Sequence, residues 1–487
     1  MKPNLYFLFV LCLSLFNPVF SQDGSPDLTF GDNGIVTIDI AGDSEHIMAA
    51  TEDGNNRIVM AGFTDGVQGY DNLLMVCLED GSLDTSFGDG GVIIGDIVNG
   101  SFYKQVKAQS DNKILLSNGY GVDYAVSRLL ADGTLDIDFA TNGILFPIIA
   151  EGHVNSFSLT NNGEIVLLGY NNSVSNRYLV LKRYLSEGSV DVTFGANGTM
   201  TIPFSSVENL EVRSIDLLEN GNSIISYNTT LNNIESNYIA RVLANGTIDT
   251  SFGTNGHALI PIEEEYSCAA LSFNDGSVLA SCIYWDQILE RDFKKMLKLQ
   301  SNGSLDTSFG NSGYIENYYG ALIQENQRII SDNSSSDWEG GLYLLYMRLY
   351  STGNSDTTFQ FSTNYYVLGS AHPIVLNSGK LLVAGSDIWY NGETDIVLQR
   401  FHNDPLEVSE NIVKEFQVYP NPSNGIFTLK TISGFSSEIP FMVNDVSGKI
   451  IQKSTITYSN TEIDLSEAAN GMYFLKAGNT VLRLIKN

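Results

Sequence analysis

The chain has 487 residues, 43% of them hydrophobic, which is enough for two or more domains with sizeable cores. It carries 26 basic and 56 acidic residues, a net charge of −30, and this excludes a phosphate-neutralising nucleic-acid surface and a polybasic membrane anchor.

Residues 1–21 read as an export signal. Lys2 precedes the apolar run LYFLFVLCLSLF (5–16), which is too short to span a bilayer, and VFS before Gln22 supplies small residues for cleavage. No later stretch is long and apolar enough for a transmembrane helix.

From residue 24 one phrase recurs. It reads GSPDLTFGDNG (24–34), GSLDTSFGDGG (81–91), GTLDIDFATNG (133–143), GSVDVTFGANG (188–198), GTIDTSFGTNG (246–256) and GSLDTSFGNSG (303–313), with a worn copy GNSDTTFQFST at 353–363. Its phenylalanines, Phe30, Phe87, Phe139, Phe194, Phe252, Phe309 and Phe359, are spaced by 57, 52, 55, 58, 57 and 50 residues, the mark of a repeat architecture. The first Gly permits a tight turn, the Asp accepts backbone N–H groups, and the Phe is a buried peg.

Between phrases the pattern is all β. The first unit reads HIMAATE, RIVMAGF, NLLMVCLE and GVIIGDI, four short strands bounded by Gly, Asp or Asn. Four strands in about 55 residues predict a propeller blade. Innermost strands then begin near residues 46, 103, 153, 211, 266, 320 and 372, which gives seven blades over 22–403. The seventh unit lacks a phrase and a fourth strand, while the N-terminus has both in surplus. The strand GIVTIDI is therefore expected to complete the last blade and close the ring. The phrase at this period resembles the delta-60 repeat of bacterial secreted proteins, a resemblance that implies a β-propeller and no one activity.

Residues 404–414 are polar and acidic and read as a linker. After it, 415–487 has the pattern of a small antiparallel β-sandwich, with Pro420 and Pro422 forcing an extended entry and VSG and NG as turns. The opening YPNPSNG (419–425), the hairpin DVSGK (445–449), the strand NGMYFL (470–475) and the basic ending resemble the C-terminal sorting domain of the type IX (Por) secretion system. That resemblance implies recognition by the type IX machinery through 415–487, export to the surface or surroundings of a Gram-negative cell, and removal of the domain on export.

Chemistry is harder to find. No GxSxG elbow, HExxH helix or Walker loop is present, so no catalytic residue is nominated. His46, His153 and His372 fall where innermost strands begin, yet blades one, three and seven do not bring them to one ion, so no metal site is expected. The repeated aspartates, from Asp27 to Asp356, lack EF-hand spacing and read as turn residues, with calcium as the one cofactor left open. Cys268 and Cys282 flank the turn NDG (274–276) and are placed to bond across a hairpin in an oxidising compartment.

The three tryptophans, Trp285, Trp338 and Trp389, with Tyr284 and Tyr390, are expected in loops between second and third strands of the last three blades, on one face. Flat rings beside hydrogen-bonding groups suit sugars; the alternative is that each ring anchors its own loop. The expected role is thus non-catalytic binding or adhesion, with a glycan or another extracellular polymer as partner. A polysaccharide-acting hydrolase or lyase and a structural protein-interaction ring are the alternatives.

Overall fold

The computed structural model describes residues 23–403 and 416–487, apart from 41–43, 67–68, 98–101, 120–123, 148, 150–151, 175, 263–265, 287–290, 333–334, 337–341, 344–345, 360–370, 389–393, 422, 432–438, 446–448, 457–459 and 478–479. The chain divides into two compact units, Met1–Asp404 and Pro405–Asn487. The expected signal (1–21) and linker (404–414) lie outside the described residues. Among the described residues every regular element is a β-strand.

The first unit is a succession of antiparallel sheets whose strands pair in chain order. Sheet one is Ser44–Glu52, Ile58–Gly66, Gly69–Cys77 and Val92–Ile94. Sheet two is Tyr103–Ala108, Ile114–Asn118, Ala125–Leu129 and Ile144–Leu145. Sheet three is His153–Leu159, Ile165–Ser173, Asn176–Tyr184 and Thr199–Pro203. Sheet four is Asn209–Leu217, Ser223–Leu231, Ile234–Val242 and His257–Leu259. Sheet five is Ser267–Ser272, Val278–Asp286, Arg291–Leu299 and Tyr314–Glu316. Sheet six has Tyr319–Ile323, Ile329–Asp332 and Tyr346–Leu349, three strands among the described residues where four were expected. Sheet seven is His372–Val375, Leu381–Ile388 and Thr394–Phe401, with Ile35–Ile38 from the N-terminal end as its outer strand. That strand pairs in the register Ile35–Gln399 to Ile38–Ile396.

Apolar side chains of consecutive sheets meet in buried clusters. Val59 and Leu116 share one between sheets one and two, Leu115 and Phe157 between two and three, and Leu168 and Val212 between three and four. Ile224 and Val278 mark the next, then Leu279 and Ile329, and Ile330 and Leu381. Leu398 of sheet seven and Ile47 of sheet one belong to a further cluster, and the Ile47 N–H donates to Ser386 Oγ at 3.2 Å.

The repeated phrase forms the joint between neighbouring sheets. All seven phenylalanines are buried, from 0% exposed for Phe30 to 5% for Phe359, each worth roughly 1.5–3 kcal/mol. The first Gly of one phrase packs on the Phe of the phrase before it. A Cβ on Gly81 would stand 2.8 Å from the Phe30 ring and one on Gly188 2.9 Å from the Phe139 ring, and both have positive φ, +89° and +91°. The backbone adds a bond at the same place: the N–H of Gly195 donates to Asn245 O, and that of Gly253 to Asn302 O, both at 2.8 Å.

The aspartate of the phrase uses both oxygens. Asp191 Oδ1 accepts the Thr193 N–H at 3.0 Å and hydroxyl at 2.6 Å, and Asp249 does the same with Ser251 at 3.0 and 2.6 Å. Oδ2 takes an arginine from the third strand: Arg128 with Asp136 at 2.9 Å, Arg183 with Asp191 at 2.6 Å, Arg241 with Asp249 at 2.7 Å, Arg348 with Asp356 at 2.7 Å and Arg400 with Asp27 at 2.9 Å. Each of these guanidinium groups also lies over the phenylalanine of its phrase, 4.5–4.7 Å from the ring centre. The same guanidinium reaches the next sheet: Arg183 Nη1 donates to Ala244 O and Arg241 Nη1 to Ser301 O, both at 2.6 Å. In sheet one the third strand offers Val76 instead, and Arg57 from the start of the second strand supplies the cation to Asp84 at 2.9 Å. In sheet five a lysine, Lys298, stands in and donates to Ser351 O at 3.2 Å.

The second unit has two sheets. Phe416–Tyr419, Ile426–Thr431 and Asn460–Asp464 form one; Ile439–Asp445, Ile450–Ile456, Gly471–Ala477 and Thr480–Lys486 form the other. Phe427, Leu429, Ile463, Phe441, Val443, Tyr473, Leu475 and Leu484 make one buried cluster between them.

The Arg183–Asp191 pair is nearly buried, with side chains 11% and 6% exposed. Arg183→Met or Asp191→Asn leaves one buried charge unpaired and is expected to cost about 3–5 kcal/mol, while the double variant costs clearly less than the two summed, as read from urea unfolding midpoints. Additive losses would show that the pair is not coupled. Burial pulls the Asp191 and Asp249 carboxyls upward, but the hydroxyl and N–H two residues on, together with the arginine, outweigh it and hold both below the ordinary value of 3.8. Asp27, Asp136 and Asp356 are lowered with the same opposition, and Asp84 is lowered foremost by the Ser86 hydroxyl. A depressed folded-state pKa contributes stability that is complete above the unfolded value and lost as pH falls through the folded one. The part of the unfolding free energy that these aspartates supply should therefore be complete above about pH 5 and be lost below about pH 4, and the acid-side fall should be shallower in Asp191→Asn than in the parent.

Candidate functional site

Of the residues nominated from sequence, Tyr284 and Trp285 are described, while Trp338, Trp389 and Tyr390 lie outside the described residues. Trp285 sits in the second strand of sheet five rather than in the loop, because the hairpin continues to pair past it, Trp285 with Asp292 and Asp286 with Arg291. Its side chain is 50% exposed. Tyr284 is half-buried and stacks on Phe293, with ring centres 6.2 Å apart, and contacts Tyr266 at 5.8 Å.

A larger aromatic group escaped the sequence reading. At the same end of sheet one, His46 stacks on Phe63 at 4.7 Å, Phe63 meets Phe102 at 4.5 Å and Tyr70 edge-on at 5.5 Å, and Tyr70 meets Phe102 at 5.4 Å. Tyr70 is 59% exposed and Phe102 37%. Sheet four carries Tyr227 stacked on Tyr238 at 5.5 Å with Phe204 beside it, and sheet three carries Tyr170 next to His153. The signal was present: GF (62–63), GY (169–170), SY (226–227) and IY (283–284) put an aromatic near the end of the second strand in four units.

The histidines are dispersed. His153 lies against Tyr170 and His46 against Phe63, while the His257 ring shares a 2.7 Å hydrogen bond with the Tyr227 hydroxyl. Burial lowers the pKa of His46, His257 and His372. Among the described residues the group with metal-ligand spacing is Asp39, Glu45 and Asp395, whose carboxylate oxygens lie within 4.8 Å of one another. Hard oxygen donors of that kind suit calcium or magnesium better than zinc. The repeated aspartates are engaged instead with arginine and with their own turns.

Cys268 and Cys282 face each other in register on the first two strands of sheet five and are joined by a disulfide. Cys77 is buried, and burial pushes its thiol up to about 12, which keeps it protonated and inert.

In the second unit the signature residues are structural pegs. Asn421 Oδ1 accepts the Ile485 N–H at 2.8 Å, and Ser423 exchanges backbone bonds with Ile485 and Asn487 at 2.9 Å, so the opening motif is fastened to the final strand. The Asp445 carboxylate accepts the Lys449 N–H at 3.0 Å and closes the hairpin. Tyr473 is buried with its hydroxyl donating to Ala469 O at 2.5 Å, and Lys486 Nζ donates to Ser466 O at 2.7 Å and to Ala468 O.

Residues 417–487 match the secretion system C-terminal sorting domain, so the chain carries a sorting domain of the type IX (Por) export route. Residues 225–252 and 376–404 match the DUF5122 β-propeller, a domain of unknown function, which makes the first unit a propeller-type array. No curated protein matches the chain. Among solved structures it is similar to the polysaccharide lyase Uly1, at 11% identity over 73% of this chain and 90% of that one, with a TM-score of 0.47. It is also similar to virginiamycin B lyase from Staphylococcus aureus, at 9% identity over 75% and 98% with a TM-score of 0.36. A third is the acylaminoacyl peptidase of Pyrococcus horikoshii, at 9% identity over 79% of this chain and 57% of that one, with a TM-score of 0.41. Likeness this distant assigns no chemistry to this chain.

Proposed function

We propose that the protein is an exported, non-catalytic binding protein whose first unit is a seven-bladed propeller, closed by the strand Ile35–Ile38, and whose second unit is a sandwich that directs type IX secretion. The pairing of that strand with Thr394–Phe401 and the packing of sheet seven on sheet one support the closed ring. The ligand is a glycan or similar extracellular polymer. The observation that carries this reading is the set of exposed rings at matching strand ends, Tyr70 on sheet one, Phe102 just before the first strand of sheet two and Trp285 on sheet five. Trp338, Trp389 and Tyr390, nominated from sequence for the same role, lie outside the described residues. A sugar ring offers an apolar face and a rim of hydroxyls, which stacked aromatics flanked by Asp65, Asp71 and Asp286 accommodate. The signal at 1–21 is removed, the sorting domain is removed on export, and the product is surface-bound or released.

A panel of polysaccharides titrated with the full chain tests the binding role. Tyr70→Ala with Phe102→Ala, or Trp285→Ala, should each weaken binding by roughly five- to thirtyfold, with the thermal midpoint shifted by no more than about 3 °C. Turnover of any polysaccharide would replace the reading with an enzyme, and no binding at all would favour a protein-interaction ring. Ring closure has its own test. Deleting residues 23–38 strips the outer strand from sheet seven and uncovers its edge, and should lower the urea midpoint and promote association. An unchanged midpoint would refute closure.

A further inference from the structure

The two sheets of the second unit each bury one face in a common core, which leaves each an outer face. The outer faces differ in chemistry. In the three-stranded sheet the residues alternating with Phe427, Leu429 and Ile463 are Ile426, Thr428, Lys430, Glu462 and Asp464. In the four-stranded sheet the residues alternating with Phe441, Val443, Tyr473 and Leu475 are Met442, Asn444, Met472, Phe474 and Lys476. We propose that the outer face of the four-stranded sheet, centred on Phe474, is the surface by which the type IX export machinery holds this protein. The machinery meets it with an apolar patch bordered by carboxylates.

Register builds this face across the strands. Phe474 stands opposite Asn444, and Asn444 opposite Ile450. Met442 stands between Lys476 on one side and Lys453 on the other, and Met472 stands opposite Ile485. Residues directly opposite on paired strands have Cβ atoms roughly 5 Å apart, so the rows are continuous. Pairing skips Ile451 between Val443 and Asn444, and both isoleucines at that edge are exposed. Ile450 is 46% exposed, Met472 40% and Phe474 39%.

The chemistry of the face points to a protein and to its charge. Exposed apolar side chains scattered singly are ordinary, but here several share one side of one sheet. Aromatic rings and methionines are the residues that protein interfaces concentrate. Lys453 and Lys476 are exposed beside them. The one acid on the four strands, Asp445, pairs opposite Tyr473 of the inner row and closes its own hairpin. A face with two lysines and no acid among its described residues runs against a chain of 56 acidic and 26 basic residues. Carboxylates around an apolar centre answer that charge, whereas the three-stranded sheet, with exposed Glu462 and Asp464, repels them.

The match of residues 417–487 to the sorting-domain family supplies the partner. The proposal therefore rests on the type IX role of this unit and adds which of its two faces is recognised.

Secretion of the full chain by a bacterium that has the type IX route tests the face, read as the fraction of protein outside the cell or on its surface. Phe474→Ser, and Lys453→Glu combined with Lys476→Glu, should each lower the exported fraction by at least about fivefold. Lys453→Arg combined with Lys476→Arg should export normally, as should Thr428→Ala combined with Glu462→Gln on the other sheet. Thermal midpoints within about 3 °C of the parent establish that the purified variants are folded. A chain lacking residues 405–487 should remain inside the cell. Undiminished export of that deletion would overturn the sorting role and the face with it. Retention of the deletion, with both face variants exported like the parent, would overturn the face alone. So would an equal loss in the Thr428 and Glu462 variant. A dimer of the purified full chain that Phe474→Ser converts to monomer would also overturn it, because the occupant would then be a second copy.

Discussion

The carboxylate of the repeated aspartate is the junction through which one sheet is tied to the next. One oxygen fixes its own turn, the other holds a guanidinium, and that guanidinium covers the buried phenylalanine and reaches a carbonyl of the following hairpin. A packed sheet face alone leaves neighbouring sheets free to slide, since apolar contact has no direction. The hydrogen-bonded arginine gives the contact a fixed register. It also accounts for the glycine of the phrase, because the phenylalanine of the previous unit occupies the space a Cβ needs.

Because the joints are independent of the loops, the scaffold tolerates variation at strand ends. Those ends carry the aromatic rings of sheets one, three, four and five, and they differ in number and exposure from sheet to sheet. A rigid array with variable tips is the arrangement that binding surfaces commonly use. The inner strands follow a different rule, since in sheets one to four and six the pairing of the first strand skips one residue and breaks the alternation.

The two units also divide the charge. Residues 405–487 contain 7 basic and 8 acidic residues, so with the remaining basic residue of the signal, Lys2, the excess of 30 acids belongs to residues 3–404. The sorting domain is thus nearly neutral, while the propeller-type array is strongly acidic. Strong like charge keeps an exported protein soluble and dispersed.

The repeat was legible because burial of one phenylalanine per unit imposes a period on the sequence itself, and the strand starts near 46, 103, 153 and 372 follow from it. The arginine partners were legible in principle, since Arg128, Arg183, Arg241 and Arg348 each precede their aspartate by eight residues. They went unread because an arginine in a strand looks like any solvated charge until a partner is known. The Arg57 substitute in sheet one had no such spacing, being 27 residues from Asp84. The pairing of Cys268 with Cys282 needed only the symmetry of a hairpin.

By itself the sequence determined what is local and periodic: strand, turn, peg and the signature of the sorting domain. Tertiary structure alone decided what depends on meeting across the chain. Phe63, Tyr70 and Phe102 become one cluster only when sheet one is stacked beside the start of sheet two. Periodicity records which residues each unit must bury, whereas a binding surface is assembled from residues that no unit needs for its own folding.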